Sequence, residues 1–439
     1  MSPTCARKLV GILGLLMGWL LVPNAPAVEL DSLVTADLAF EARPDLAAFH
    51  PRLLPLWSAA LDRPEIELQQ EAARAIVKAH QTGMEGLEST VPRLMQLLSG
   101  ENLPDDASYD LAQALIELDI TSAADLLMQL RKDSRLPLTL LIEPALARWD
   151  YEPMRDVWLN RLQQTNVDTT RLALAIDGLR TVQESQASKL LVRLVSDSQR
   201  SSEIRLKAAN VLGFLRHEGL EPLVQELLHP SDRRENGAPP TGSSVSATLL
   251  HQLLCVRLLR FHTSNEAVEL LLFLATNDDG AVAALALERL LEIDGSLVTP
   301  INDQLVRHMD SNVRRLTGRA LTQQATVNAV ILLHELLDDP IPDIRIQTAD
   351  QMVALDAQAN LSESVRSSAM DMMASGKPRG VEQAIMVLGA VDHEPAADQM
   401  VSLLTSKTPE IAVASLSLIH ISEPTRRTPL SYAVFCLKK

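Results

Sequence analysis

The sequence predicts an all-α chain, a solenoid of about eleven stacked helical hairpins wound into a right-handed superhelix. Three observations predict it. A short opening of polar residue, β-branched anchor and arginine recurs at near-constant spacing. The segments after each opening keep a helical apolar period. The composition favours helix over sandwich, with 46% hydrophobic residues, abundant Leu and Ala, and only 3% aromatics.

Taken in chain order, residues 1–27 read as a secretory signal peptide. Arg7 and Lys8 form a basic start, Leu9 to Val22 is apolar, and Ala25 and Ala27 supply small residues for cleavage after Ala27. The apolar run is shorter than the ~20 residues of a spanning helix, so no membrane span is expected after cleavage. Export to the periplasm or the extracellular space follows. Residues 28–50 are a lead-in.

The repeats fill 51–415. The strongest openings are Ser202-Glu203-Ile204-Arg205, Ser311-Asn312-Val313-Arg314 and Pro342-Asp343-Ile344-Arg345. Pro64-Glu65-Ile66 and Pro409-Glu410-Ile411 repeat the pattern without the arginine. The anchors Val282, Val313 and Ile344 lie 31 residues apart. Behind them, Ile204, Ala208, Val211, Leu212 and Leu215 share one helix face, as do Val313, Leu316, Ala320 and Leu321. Ala73, Ala208, Ala209, Ala320 and Ala349 are small enough for helices to approach closely.

A first helix should precede each opening. Six are legible, over 53–61, 91–98, 220–228, 268–274, 330–337 and 400–404. Polar residues at their ends should cap the next helix, and Pro342 and Pro409 suit a first helical turn. Weaker anchors near Ala107, Leu138, Val167, Val245 and Val381 complete the set with Ile66 and Ile411.

The paired-helix period and the Pro-Asp-Ile-Arg type of opening resemble HEAT repeats, including the short bacterial units also found in phycobilin-lyase subunits. The resemblance covers about 50–415 and specifies an armadillo-like helical fold well and a function poorly. It implies that Arg205, Arg314 and Arg345 are structural, each pairing with an acidic residue of the adjacent repeat. The competing expectation is a basic ladder lining an inner groove. The third helix of an armadillo repeat has no room in a 31-residue unit, and the aromatic signature of tetratricopeptide repeats is missing.

Residues 416–439 have another character. LSLIHISEPTR and SYAVFCLKK resemble the conceptual translation of a transposase-type sequencing adapter, with Leu430 departing from the expected Ile. On this reading the segment is an artefact fused to a truncated solenoid.

The chain carries a net charge of −16. The signal and tail segments hold six of the 40 basic and one of the 56 acidic residues, so the body carries −21. That charge argues against nucleic acid and favours a basic protein or peptide partner. Cys255 is the one cysteine of the body and sits in an apolar run, as a buried thiol. Trp149, Tyr151 and Trp158 cluster at one joint and read as core filler. The segment 229–244 reads as a long solvated loop.

No metal-ligand pair, haem-attachment motif, phosphate loop or nucleophile motif occurs in the body. No catalytic, cofactor-binding or metal residue is therefore expected. The leading function is a non-enzymatic protein-binding scaffold. The alternatives are the repeat region of a larger exported enzyme or c-type cytochrome, and a lyase or chaperone-like accessory subunit.

Overall fold

A computed structural model describes residues 49–100, 103–133, 136–229 and 242–422. The signal peptide with Ala25 and Ala27, most of the lead-in, most of the 229–244 segment and the tail beyond Ser422 lie outside these residues. Among the described residues every regular element is a helix, and the fold is an all-α helical solenoid.

Eleven helical pairs follow one another among the described residues. The first four are α1 (Leu54–Leu61) with α2 (Ile66–Gln81), α3 (Val91–Leu98) with α4 (Asp105–Glu117), α5 (Ala124–Asp133) with α6 (Leu136–Arg148), and α7 (Pro153–Gln163) with α8 (Thr169–Thr181). Next come α9 (Ser188–Ser196) with α10 (Ser202–Leu215), α11 (Glu221–Leu228) with α12 (Gly242–Leu258), and α13 (Asn265–Ala275) with α14 (Gly280–Ile293). The last four are α15 (Asn302–Leu305) with α16 (Ser311–Gln324), α17 (Val327–Leu336) with α18 (Pro342–Asp356), α19 (Ser362–Ala374) with α20 (Pro378–Ala390), and α21 (Ala397–Leu403) with α22 (Pro409–Ser422).

The packing divides the chain into two compact units. One comprises Arg43–Leu336 and Gln351–Ser368, the other Leu337–Asp350 and, within the described residues, 369–422. In the first unit the second helices α2 to α16 pack in sequence order, each on the next. In the second unit α20 packs on α22, and α21 packs on α22.

Local chemistry explains the boundaries. Asp279 accepts from the backbone N–H groups of Ala281 and Val282, and Asp310 from those of Asn312 and Val313. Asp168 and Ser201 cap α8 and α10 in the same way. Each cap satisfies donors that the first helical turn leaves open. Pro342 and Pro409 begin α18 and α22, where a missing N–H costs nothing.

The second helices close without glycine at several ends. Asp119, Asp150, Gln183 and Asp392 adopt φ of 57°, 52°, 52° and 49°. In each case the next N–H reaches back five residues, as from Ile120 to the Leu115 carbonyl and from Glu184 to the Leu179 carbonyl. These Schellman-type closures turn the chain toward the next pair. Asp tolerates this left-handed backbone better than most side chains.

The anchors Ala107, Leu138, Ile204, Val282, Val313, Ile344, Val381 and Ile411 are buried. Val167 is a correction: it precedes α8, half-buried, and Leu172 takes the buried position instead. The helix geometry requires this, because the Asp168 cap starts α8 after Val167. Gly242–Ser244, read as loop, already belong to α12. Five first helices, α5, α7, α9, α15 and α19, were not separately legible in the sequence. The small residues Ala73, Ala208, Ala209 and Ala320 are fully buried. At Gly213 a Cβ would stand 2.5 Å from the Arg257 carbonyl oxygen, so glycine there lets α10 and α12 touch backbone to backbone.

Candidate functional site

The three motif arginines share one task. Arg205 is buried and its Nε donates to the Val195 carbonyl at 2.9 Å. Arg314 Nη1 donates to the His308 and Met309 carbonyls at 2.9 and 3.0 Å. Arg345 is buried and its Nη1 donates to the Asp339 carbonyl at 2.7 Å. Each guanidinium thus serves carbonyls in the stretch from the first helix to the turn before its own helix, where cations are favoured. Burial pushes the Arg205 guanidinium below its usual range, and Asp197 opposes this. That carboxylate belongs to the joint of the same pair, not to the neighbouring pair. Asp343 is exposed in the first turn of α18, and Ile204, Val313 and Ile344 are core.

Cys255 is fully buried, its Sγ 3.6 Å from the Val224 carbonyl oxygen. Burial pushes the thiol up to about 12, so thiolate is scarce at neutral pH. Among the described residues no cluster of His, Cys, Asp and Glu is arranged to hold a metal ion. No described helix is long and apolar enough to cross a membrane.

The aromatic joint is more than filler. Trp158 is fully buried between α7 and α8, its ring against Gly178. Its Nε1 donates to Glu143 Oε2 at 3.2 Å. Glu143 is itself buried in α6 and receives Arg161 through two bonds of 2.7 and 2.5 Å. Arg131 Nη1 reaches the same carboxylate at 3.2 Å. Trp149 and Tyr151 instead bond at the surface, to Asp119 and Asp125. No motif in the sequence marks Glu143. The available signal was a lone carboxylate in LPLTLLIEPALAR, four residues after Thr139 on the buried face.

A second feature lies across α2, α4 and α6. A cavity of about 410 Å³ is lined by Arg74, Asp105, Asp106, Tyr109, Asp110 and Pro137, with Leu138. Arg74 Nη2 and Gln70 Nε2 both hold Asp110, at 2.8 and 3.0 Å. Leu68 on α2 and Leu136 and Leu140 on α6 are exposed large apolar residues of the same helix layer. Carboxylates and exposed leucines thus occur on the same three helices.

A third feature is polar and buried. His262 is fully buried, and neither ring nitrogen has a hydrogen-bond partner. Burial lowers its affinity for protons. Glu221 opposes this, while His217, Arg216 and Arg289 add to it. The unfolded chain therefore binds a proton near 6.5 while the folded chain still refuses it. Folding stability should fall as pH drops through that value and level off below the folded pKa. Unfolding midpoints at pH 7 and about pH 5 should differ less in His262→Leu than in the parent chain; an equal difference would refute the assignment.

The fold defines a class: an all-α solenoid of helical pairs. By sequence the chain matches no protein-family model and no curated protein. Among solved structures it is similar to a mutant of Kap121p, at 12% identity and a TM-score of 0.46, covering 86% of this chain and 46% of that one. It is also similar to Kap95p in a structure concerned with RanGDP, at 12% identity and a TM-score of 0.48, covering 88% and 59%. Importin beta gives 12% identity and a TM-score of 0.48, covering 85% and 62%. The chain thus spans about half the length of the solved chains it matches.

Proposed function

We propose that the protein is a non-enzymatic, exported scaffold whose concave face, built from the second helices, binds a basic protein or peptide. The observation that carries this reading is the α2–α4–α6 surface. There Asp105 and Asp106 border a cavity with Tyr109 and Pro137, and Leu68, Leu136 and Leu140 stand exposed in the same helix layer. Acidic groups attract a lysine or arginine head, and apolar neighbours take its methylene stem. The basic start and apolar run before Ala27 support export.

A labelled decalysine peptide tests the binding reading at low salt. Association should weaken roughly tenfold when Asp105→Asn and Asp106→Asn are combined, about 1.4 kcal/mol. Neutralising Asp156 and Glu269, which lie on the first helices α7 and α13, should leave it unchanged. Equal weakening by both pairs of substitutions, or no association at all, refutes the reading.

A further inference from the structure

At the joint of the sixth and seventh pairs a buried carboxylate ties two first helices together. Glu221 opens α11, and its Oε1 accepts from Ser264 Oγ at 2.6 Å. Ser264 in turn caps α13 by accepting from the Ala267 N–H at 3.1 Å. One turn further along, Gln225 Nε2 donates to Glu266 Oε1 at 2.6 Å. Burial pushes the Glu221 carboxyl up, but the bonds from Ser264 and from backbone N–H groups outweigh it and hold the group below its usual range. The cap of α13 thus leans on a carboxylate that is itself buried.

The chain enters Ser264 from His262, two residues earlier and fully buried. Neither ring nitrogen of His262 has a hydrogen-bond partner. Glu221 on α11 is the one acid of the described residues that acts on the ring. The cations His217 and Arg216 act on it from the end of α10, and Arg289 from α14. Arg289 Nη2 donates to the His262 carbonyl oxygen at 3.1 Å, and its Nε is buried without a partner. Donors therefore surround the ring, and its one nearby acceptor group is already engaged by Ser264. A buried imidazolium without an acceptor is costly. A proton on the ring must draw Glu221 away from Ser264 or send the ring out to water, and both undo the tie to α13.

We propose that His262 makes this joint an acid-operated hinge, in which a proton on its ring breaks the Glu221–Ser264 tie and frees the start of α13 from α11. Open and closed joints differ in proton affinity. In the open joint the ring meets water and titrates near its ordinary 6.5; in the closed joint burial holds it lower. Opening is favoured as pH falls below that value, and the gain levels off once the closed joint also binds the proton. Between pH 7 and pH 5 the gain reaches up to roughly twentyfold. At about pH 5 an ordinary glutamate is still mostly ionised, so carboxylates add little. The hinge shares no residue with the α2–α4–α6 surface, so either reading can fail alone.

Native-state amide hydrogen exchange of the full chain at pH 7 and about pH 5, corrected for the intrinsic pH dependence of exchange, tests this. Protection of α13 should fall at least roughly fivefold at the lower pH, while that of α4 and α8 changes by less than about twofold. His262→Gln and His262→Leu should each abolish that fall, whatever protection they show at pH 7. The proposal is overturned if α13 protection in the parent chain does not change with pH, or if it falls as much in a His262 variant. It is equally overturned if α4, α8 and α13 lose protection alike, since that marks general destabilisation.

Discussion

Glu143→Ala should cost about 3–5 kcal/mol of folding stability. Glu143 is 1% exposed, and its partners Arg161 and Arg131 have side chains only 11% and 12% exposed. Removing the carboxylate takes away the acceptor that two largely buried guanidinium groups share. It also removes the acceptor of the Trp158 Nε1 donor. The loss comes mainly from the buried Arg161 cation deprived of its bidentate carboxylate, not from the ion pair as such. Combining Glu143→Met with Arg161→Met should therefore cost much less than Glu143→Ala alone. Urea unfolding gives the size, and amide exchange should place the weakening in α5 to α8. A loss below about 1 kcal/mol would mean that the pair is screened like a surface bridge.

Trp158→Ala should cost a similar amount, about 3–5 kcal/mol, as expected for deleting a fully buried large aromatic. A Cβ added at Gly178 would stand 2.5 to 2.8 Å from ring carbons of Trp158, so the two positions are shaped to each other. Gly178→Ala alone should destabilise by about 1–3 kcal/mol through overpacking. In the Trp158→Ala background the same change enters a space the ring has vacated, and its cost should shrink or reverse. Additive effects would show that the ring and Gly178 are not coupled. Trp158→Phe keeps most of the packing and loses the bond to Glu143, so it should cost about 1 kcal/mol through that bond.

Much of the fold was legible because it depends on local rules repeated many times. The openings at Ile204, Val313 and Ile344 combine a cap, an anchor and an arginine, and each helix begins there in the structure. Where the signal failed, one local rule overrode another. Asp168 caps α8 one residue after Val167, so the buried anchor position passes to Leu172. The left-handed closures at Asp119, Asp150 and Gln183 carry no glycine, so no sequence punctuation marked them. The carbonyl bonds of Arg205, Arg314 and Arg345 were not legible, because the sequence shows the guanidinium and not where the preceding helix ends. A guanidinium readily reaches nearby helix-end carbonyls, and burial makes those bonds worth holding.

The candidate sites were the least legible part. Arg131, Glu143 and Arg161 are 12 and 18 residues apart along the chain and follow no motif spacing. By itself, the sequence determined the all-helical class, the repeat period, six of the first helices and most of the anchors, since these follow from apolar period, caps and prolines within a few residues. Only the tertiary structure decided which charges are buried together and which face a cavity. Folding brings the ends of α5 and α7 onto α6, and there Glu143 gathers Arg131, Arg161 and Trp158, residues that nothing in the chain order pairs.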